Sequence, residues 1–180
     1  MARIIVAMLQ LSASLLDRPV LSLRTGGKIA HTVSAIVDPN NLKIEGFYCQ
    51  DALEHRQPIL LSQDIRDVLP QGIVVNDHDA LTDTEDLVRF KDLLELNFRI
   101  VGKKVITVSK QRLGKIEDFA TDTQSMYIQK LYAGPSLIKT FTGSQLSIDR
   151  SQIVEITTNT IIVQDLAVPA GTAMPSPAQA

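Results

Sequence analysis

The sequence predicts an all-β fold built from two copies of one small unit. Hydrophobic residues make up 44% of the chain and aromatic residues only 4%, so a core must consist mainly of Val, Ile and Leu, which favour strands. The segment Asp38–Tyr48 reappears without gaps as Asp122–Tyr132, and Asp64–Asp77 reappears as Gln152–Asp165. The matches fall on apolar and turn positions, where a duplicated fold must agree with itself.

The first unit, residues 15–79, consists of short apolar runs separated by turn residues. Gly26-Gly27 marks a sharp turn, because glycine adopts positive φ without steric cost. Asp38-Pro39 opens another turn, since proline suits its second position. The longest run has the length of a bent or bulged strand. The pattern predicts strands at 20–23, 28–37, 42–48, 58–61 and 73–75, with one helical turn at 62–68.

The second unit, residues 97–166, repeats this organisation. Its strands are short and evenly spaced, and no helix alternates with them, which is typical of a small antiparallel barrel. Closing each unit into a barrel would also remove exposed strand edges. The predicted strands lie at 104–108, 113–116, 126–132, 145–148, 152–156 and 160–163.

Residues 80–96 between the units are predicted to form a connector helix. Thr82 and Glu85 have the spacing of a capping box. Leu87, Phe90 and Leu94 then recur at helical spacing. We expect this apolar stripe to pack against the two barrels.

Three further segments lie outside the repeat. The loop Gly134–Gly143 is longer than its counterpart in the first unit and carries Leu137, Ile138 and Phe141. These residues either cover the barrel as a lid or form an exposed apolar binding patch. Residues 167–180 are rich in Ala, Pro, Ser and Gly and are predicted to be a disordered tail.

Residues 1–14 form an N-terminal extension. The apolar run Ile4–Leu9, followed by the small residues Ser12-Ala13-Ser14, weakly resembles a secretory signal. The alternative is an extra strand or helical turn ahead of the first unit. The single cysteine, Cys49, cannot form an internal disulfide, which favours a reducing cytoplasm.

Charge is distributed unevenly although the net charge is only −2. The stretch Asp77–Glu95 is strongly acidic, and the stretch Arg99–Lys115 contains no acid. The second stretch could contact an acidic protein, RNA phosphates or an anionic membrane. It could instead keep a sheet edge soluble or pair with the acidic connector. The stretch carries the candidate binding residues Lys103, Lys104, Lys110, Arg112 and Lys115.

Catalytic chemistry is not indicated by any motif. Asp51, Glu54 and His55 lie close together in one predicted loop, and Asn76–Asp79 forms another polar cluster. Neither cluster has the ligand order of a calcium or zinc site, so both are interpreted as solvated turns. Cys49 has no basic neighbour that would activate its thiol. We therefore expect no enzyme activity, no metal and no cofactor.

The second unit carries a series of short motifs: Gly102–Val105, Leu113–Asp118, Asp122, Ile128–Tyr132, Ser151–Ile156 and Ile161–Val163. In this pattern the unit resembles the PRC-barrel family. The resemblance covers residues 99–166 well and residues 15–79 more loosely. The family includes the cytoplasmic domain of the photosynthetic reaction centre H subunit and the C-terminal domain of the ribosome maturation factor RimM.

The resemblance implies two tandem barrels that bind partners and perform no chemistry. We expect a cytoplasmic, non-catalytic adaptor whose partner is a protein. One alternative is a ribosome or RNA maturation factor, and another is a membrane-associated structural protein held by Ile4–Leu9. RNA or the ribosome therefore stays open as a partner, whereas DNA, membrane contact and a small-molecule ligand are not expected.

Overall fold

The computed structural model describes residues 8–54, 56–134 and 145–165. Within them the chain is mainly β, as predicted, and its strands join into one mixed sheet. The strands of the first half are β1 (Leu9–Leu11), β2 (Pro19–Ser22), β3 (Lys28–Asp38), β4 (Lys43–Asp51), β5 (Ile59–Leu61), β6 (Ile65–Leu69), β7 (Gly72–Val75) and β8 (Leu81–Thr82). After the helix α1 (Lys91–Leu96) come β9 (Lys104–Thr107), β10 (Arg112–Asp122), β11 (Tyr127–Gly134), β12 (Leu146–Asp149), β13 (Ile153–Ile156) and β14 (Thr160–Val163).

The two halves share one strand order. The first runs β6-β7-β2-β3-β4-β5, and the second runs β13-β14-β9-β10-β11-β12. Their irregularities also recur, because β3 is bulged between Thr32 and Ser34 and β10 is bulged between Ile116 and Asp118. The long strand is therefore bulged, as its length indicated.

The strand pairing differs from the predicted pair of closed antiparallel barrels. β2 pairs with β7 in parallel, and β9 pairs with β14 in parallel. Each parallel pair joins the first and last of the six repeated strands, β2 to β7 in the first half and β9 to β14 in the second. The strands between them serve as the long crossover that parallel pairing requires. Closure is not seen either: β5 does not pair with β6, nor β12 with β13, among the described residues.

The halves meet through two reciprocal backbone hydrogen bonds. The Ile44 amide donates to the Met126 carbonyl at 2.8 Å, and the Ile128 amide donates to the Leu42 carbonyl at 2.9 Å. Leu42 and Met126 both have positive φ, 56° and 59°, a conformation that costs a non-glycine residue about 1 kcal/mol. Because both side chains are buried, apolar burial offsets this strain. The contact makes the two sheets continuous through β4 and β11.

One hydrophobic core serves both halves. Residues at equivalent positions of the repeat are buried together in a single cluster. Composition required such a core to be aliphatic, and it contains only two phenylalanines among its buried members. The equivalent pairs whose side chains are at most 1% exposed include Val20 and Val105, Ile44 and Ile128, Phe47 and Leu131, Ile73 and Ile161, and Val75 and Val163.

The predicted connector helix is much shorter than 80–96. β8 occupies its first residues and pairs with β5, and two short 3-10 turns, Thr84–Asp86 and Val88–Phe90, precede α1. Thr82 lies in β8, so the capping box is not formed. The apolar stripe packs on the first half of the sheet, where Leu87 is buried against Ile36 and Leu61. Strand pairing of β8 takes the residues that would have begun the helix.

The N-terminal extension contains both an extra strand and a helical turn. β1 pairs with the far end of β10, in the opposite half of the chain, and a 3-10 turn follows at Ser12–Ser14. The predicted tail at 167–180 and the predicted signal-like start at Ile4 lie outside the described residues. In the part of the chain that the structure covers, the helices are too short to cross a membrane.

Candidate functional site: the basic hairpin

The basic hairpin comprises four exposed cations on β9, β10 and the turn between them: Lys104, Lys110, Arg112 and Lys115. Lys104 lies directly opposite Lys115 in the strand register, and Arg112 lies opposite Ile106. Directly opposed residues project from the same face of a sheet, so Lys104, Arg112 and Lys115 share one face. No ion pair within the described residues involves any of the four.

The turn of the hairpin is held in one conformation. Ser109 donates to the Asp165 carboxylate from its amide at 3.1 Å and from its hydroxyl at 2.6 Å. These hydrogen bonds keep the pKa of Asp165 below its usual value. Lys110 has a φ of 67°, in the position that Gly26 occupies in the first half with a φ of 71°. The cations are thus presented on an ordered scaffold, which lowers the entropic cost of binding.

Lys103 does not belong to this surface, which corrects the sequence prediction. Only 9% of the residue is exposed, its ammonium donates to the Thr158 carbonyl, and the nitrogen lies 4.4 Å from the centre of the Phe98 ring. Burial lowers its pKa. The first half has the same arrangement, in which Arg18 donates to the Pro70 carbonyl. A cation therefore secures the turn between β6 and β7 in the first half and between β13 and β14 in the second.

Replacing Lys103 with alanine is expected to lower the free energy of unfolding by about 2 kcal/mol, because it removes a buried charged donor and leaves the Thr158 carbonyl without it. Replacing the exposed neighbour Lys104 with alanine is the matched control, and its effect should stay within about 0.5 kcal/mol. Urea denaturation of both variants measures the difference. Equal effects would contradict the structural role assigned to Lys103.

The acidic stretch does not neutralise the basic hairpin. Three of its seven carboxylates pair with other cations: Asp77 with Arg24 at 3.6 Å, Asp83 with Arg56 at 2.9 Å, and Glu95 with Lys91 at 3.8 Å. None of the seven forms an ion pair with the hairpin among the described residues. The alternative that the two stretches pair with each other is therefore wrong for the described residues. The other predicted binding residues, Leu137, Ile138 and Phe141, lie outside the described part of the chain.

Asp51 and His78 form a polar contact that the sequence did not predict. The Asp51 carboxylate lies 2.9 Å from His78 Nε2 and accepts the amides of Leu53 at 2.7 Å and Glu54 at 3.1 Å. Arg56 Nε lies 3.5 Å from the same carboxylate. These contacts tie a loop to the sheet, because they satisfy the backbone of the chain reversal after β4.

The structure describes only part of the two loop clusters predicted to be solvated turns. His55 lies outside the described residues, and in the ranges that are described no three acidic, histidine or cysteine side chains converge on a possible metal position. Cys49 is 1% exposed, and burial raises the pKa of its thiol to about 12. A thiol with that pKa stays protonated at neutral pH and is a poor nucleophile.

The chain was compared with protein-family models and with curated proteins, and nothing matches it in either comparison.

Proposed function

We propose that the chain is a non-catalytic adaptor of the PRC-barrel type, and that its basic hairpin binds an acidic surface of a partner protein. The supporting observation is the pairing of Lys104 with Lys115 across β9 and β10. Like charges directly opposite each other in a sheet repel, and no carboxylate of the described residues relieves them. A partner that supplies carboxylates at this face removes the repulsion and gains charge-assisted hydrogen bonds.

A protein partner fits the hairpin better than single-stranded RNA does. Binding to unpaired bases usually relies on aromatic side chains between the cations, and the hairpin carries none from Lys104 to Lys115. The exposed aliphatic residue Val108 lies in the turn instead. An apolar contact surrounded by charges is the usual composition of a protein interface.

Reversing three charges of the hairpin should abolish partner binding without unfolding the protein. The variant carries Lys104→Glu, Arg112→Glu and Lys115→Glu, which leaves the buried Lys103 intact. The matched control carries Arg24→Glu, Lys28→Glu and Arg89→Glu, three exposed cations with the same total charge change. The measurement is recovery of partner proteins from a native lysate on each tagged full-length chain, with and without nuclease.

Proteins recovered by wild type and control but lost with the hairpin variant, regardless of nuclease, are the expected result. Loss on nuclease treatment would instead support an RNA or ribosomal target, and that complex should also weaken steeply as salt rises. Equal recovery by the hairpin variant and the control would remove the basic hairpin from the binding surface.

A further inference from the structure

The internal repeat leaves one strand edge without the partner that its copy has. β1 pairs with residues 120–122 of β10. The corresponding residues of the first half are 36–38 of β3. On that side, β3 pairs with β2 only as far as His31, and no described strand pairs with 36–38 there. An unpaired edge offers backbone donors and acceptors to an added strand.

The connector between the halves explains why residues 36–38 of β3 have no strand paired with them. By position in the repeat, the end of α1 corresponds to β1, and a helix cannot supply the inter-strand hydrogen bonds that β1 makes. Asn97, with a φ of 43°, ends α1. The following residues then pass beside the edge of β3 without pairing with it.

A cavity of about 260 Å³ lies along this edge. One wall is the strand itself, from Ser34 to Val37, and the other is the segment from Asn97 to Val101 together with Leu93 of α1. Ala35 leaves room here because its side chain is small, whereas the equivalent residue of the second half is the larger Phe119. The interior is largely apolar, since Leu16, Phe119 and Ile100 line it. Its shape and chemistry suit an apolar side chain attached to an extended backbone.

The positive charge of Arg99 at the cavity favours extended segments that carry a carboxylate. Arg99 lies on the wall, is exposed, and takes part in no ion pair of the described residues. Of the residues that the structure describes, no acidic one lines the cavity. A segment running antiparallel to β3, as β1 runs to β10, brings its C-terminal end toward Ser34. In the alignment of the two halves, Ser12–Ser14 corresponds to Asn97–Arg99. The C-terminal end of the added segment therefore also approaches Arg99.

We propose that the edge of β3 is a second binding site, which accepts an extended segment of a partner protein as an added antiparallel strand. The segment places an apolar side chain in the cavity and a carboxylate near its C-terminal end against Arg99. This site is separate from the basic hairpin, so either site can fail without the other.

The probe is a dye-labelled peptide that copies the natural occupant of the repeated edge. Its sequence, Met-Leu-Gln-Leu-Glu, is that of residues 8–12 with the change Ser12→Glu to meet Arg99. A control peptide ends in lysine instead. Fluorescence anisotropy measures binding to the full chain, and backbone amide NMR shifts locate the peptide.

Saturable binding with amide shifts at residues 34–38 is expected. The variant Arg99→Glu and the cavity-filling variant Ala35→Phe should each bind the glutamate peptide at least about tenfold more weakly than wild type does. Wild type should also bind the lysine-ended peptide at least about tenfold more weakly than the glutamate peptide. The exposed Arg89→Glu is the control and should bind like wild type. Absence of saturable binding, indifference to both variants, or shifts confined to residues 120–122 would overturn the proposal. The last result would mean that the peptide had only exchanged with β1.

Discussion

Replacing Phe47 with alanine should lower the free energy of unfolding of the whole chain by about 4 kcal/mol. Phe47 has no exposed surface and lies in the cluster shared by both halves. Leu131 holds the equivalent position in the second half and is also fully buried. Its replacement by alanine should cost about 3 kcal/mol in the same transition. Circular dichroism during urea denaturation reports both values.

The pair of variants tests whether the duplicated halves unfold as one unit. A shared core predicts a single cooperative transition that shifts in either variant, because neither half retains its buried surface when the other unfolds. The exposed Val33→Ala serves as the control and should stay near wild type. Two separate transitions, with only one moved by each substitution, would show that the halves are independent domains.

Replacing Asp51 with alanine should cost about 3 kcal/mol at neutral pH, because it leaves the amides of Leu53 and Glu54 and the His78 ring without their shared acceptor. The exposed Asp67→Ala is the control and should cost within about 0.5 kcal/mol. Asp51→Asn should lie between the two, since an amide oxygen still accepts one hydrogen bond without the charge. Urea denaturation of each variant supplies the free energies.

The cost of Asp51→Ala should also depend on pH. Burial raises the pKa of Asp51, but the amides of Leu53 and Glu54 together with His78 outweigh it and hold that pKa below its ordinary value of 3.8. A carboxyl whose pKa is lower in the folded state adds stability that is complete above the unfolded pKa and is lost as pH falls through the folded one. The difference between wild type and variant should therefore shrink below about pH 4. A difference independent of pH would show that the carboxylate charge does not matter.

Much of the fold followed from local pattern. Apolar residues at alternate positions and Gly or Asp at the turns located most of the strands, and the two repeated segments adopt the same pairing in both halves. Local pattern also predicted strands at 104–108 and 113–116, which carry Lys104 and Lys115 of the basic hairpin. It misplaced Lys103, because its burial depends on Thr158 and Phe98, which come close only after folding.

Other features needed the assembled sheet for the same reason. The contact of Asp51 with His78 joins two loops that no motif connects. The pairing of β1 with β10 carries the start of the chain into the opposite half. Residues at the start of the predicted connector helix became β8, because pairing with β5 outweighed a weak capping signal. The unpaired edge of β3 is recognised only when the two halves are compared in three dimensions.

By itself the sequence determined that the chain is duplicated, mainly β and aliphatic in its core, because strand periodicity and turn chemistry are properties of neighbouring residues. The tertiary structure alone decided how the halves share that core, which cations are buried and which strand edge is unpaired. Those outcomes depend on contacts between residues far apart in the chain, and local pattern does not encode such contacts.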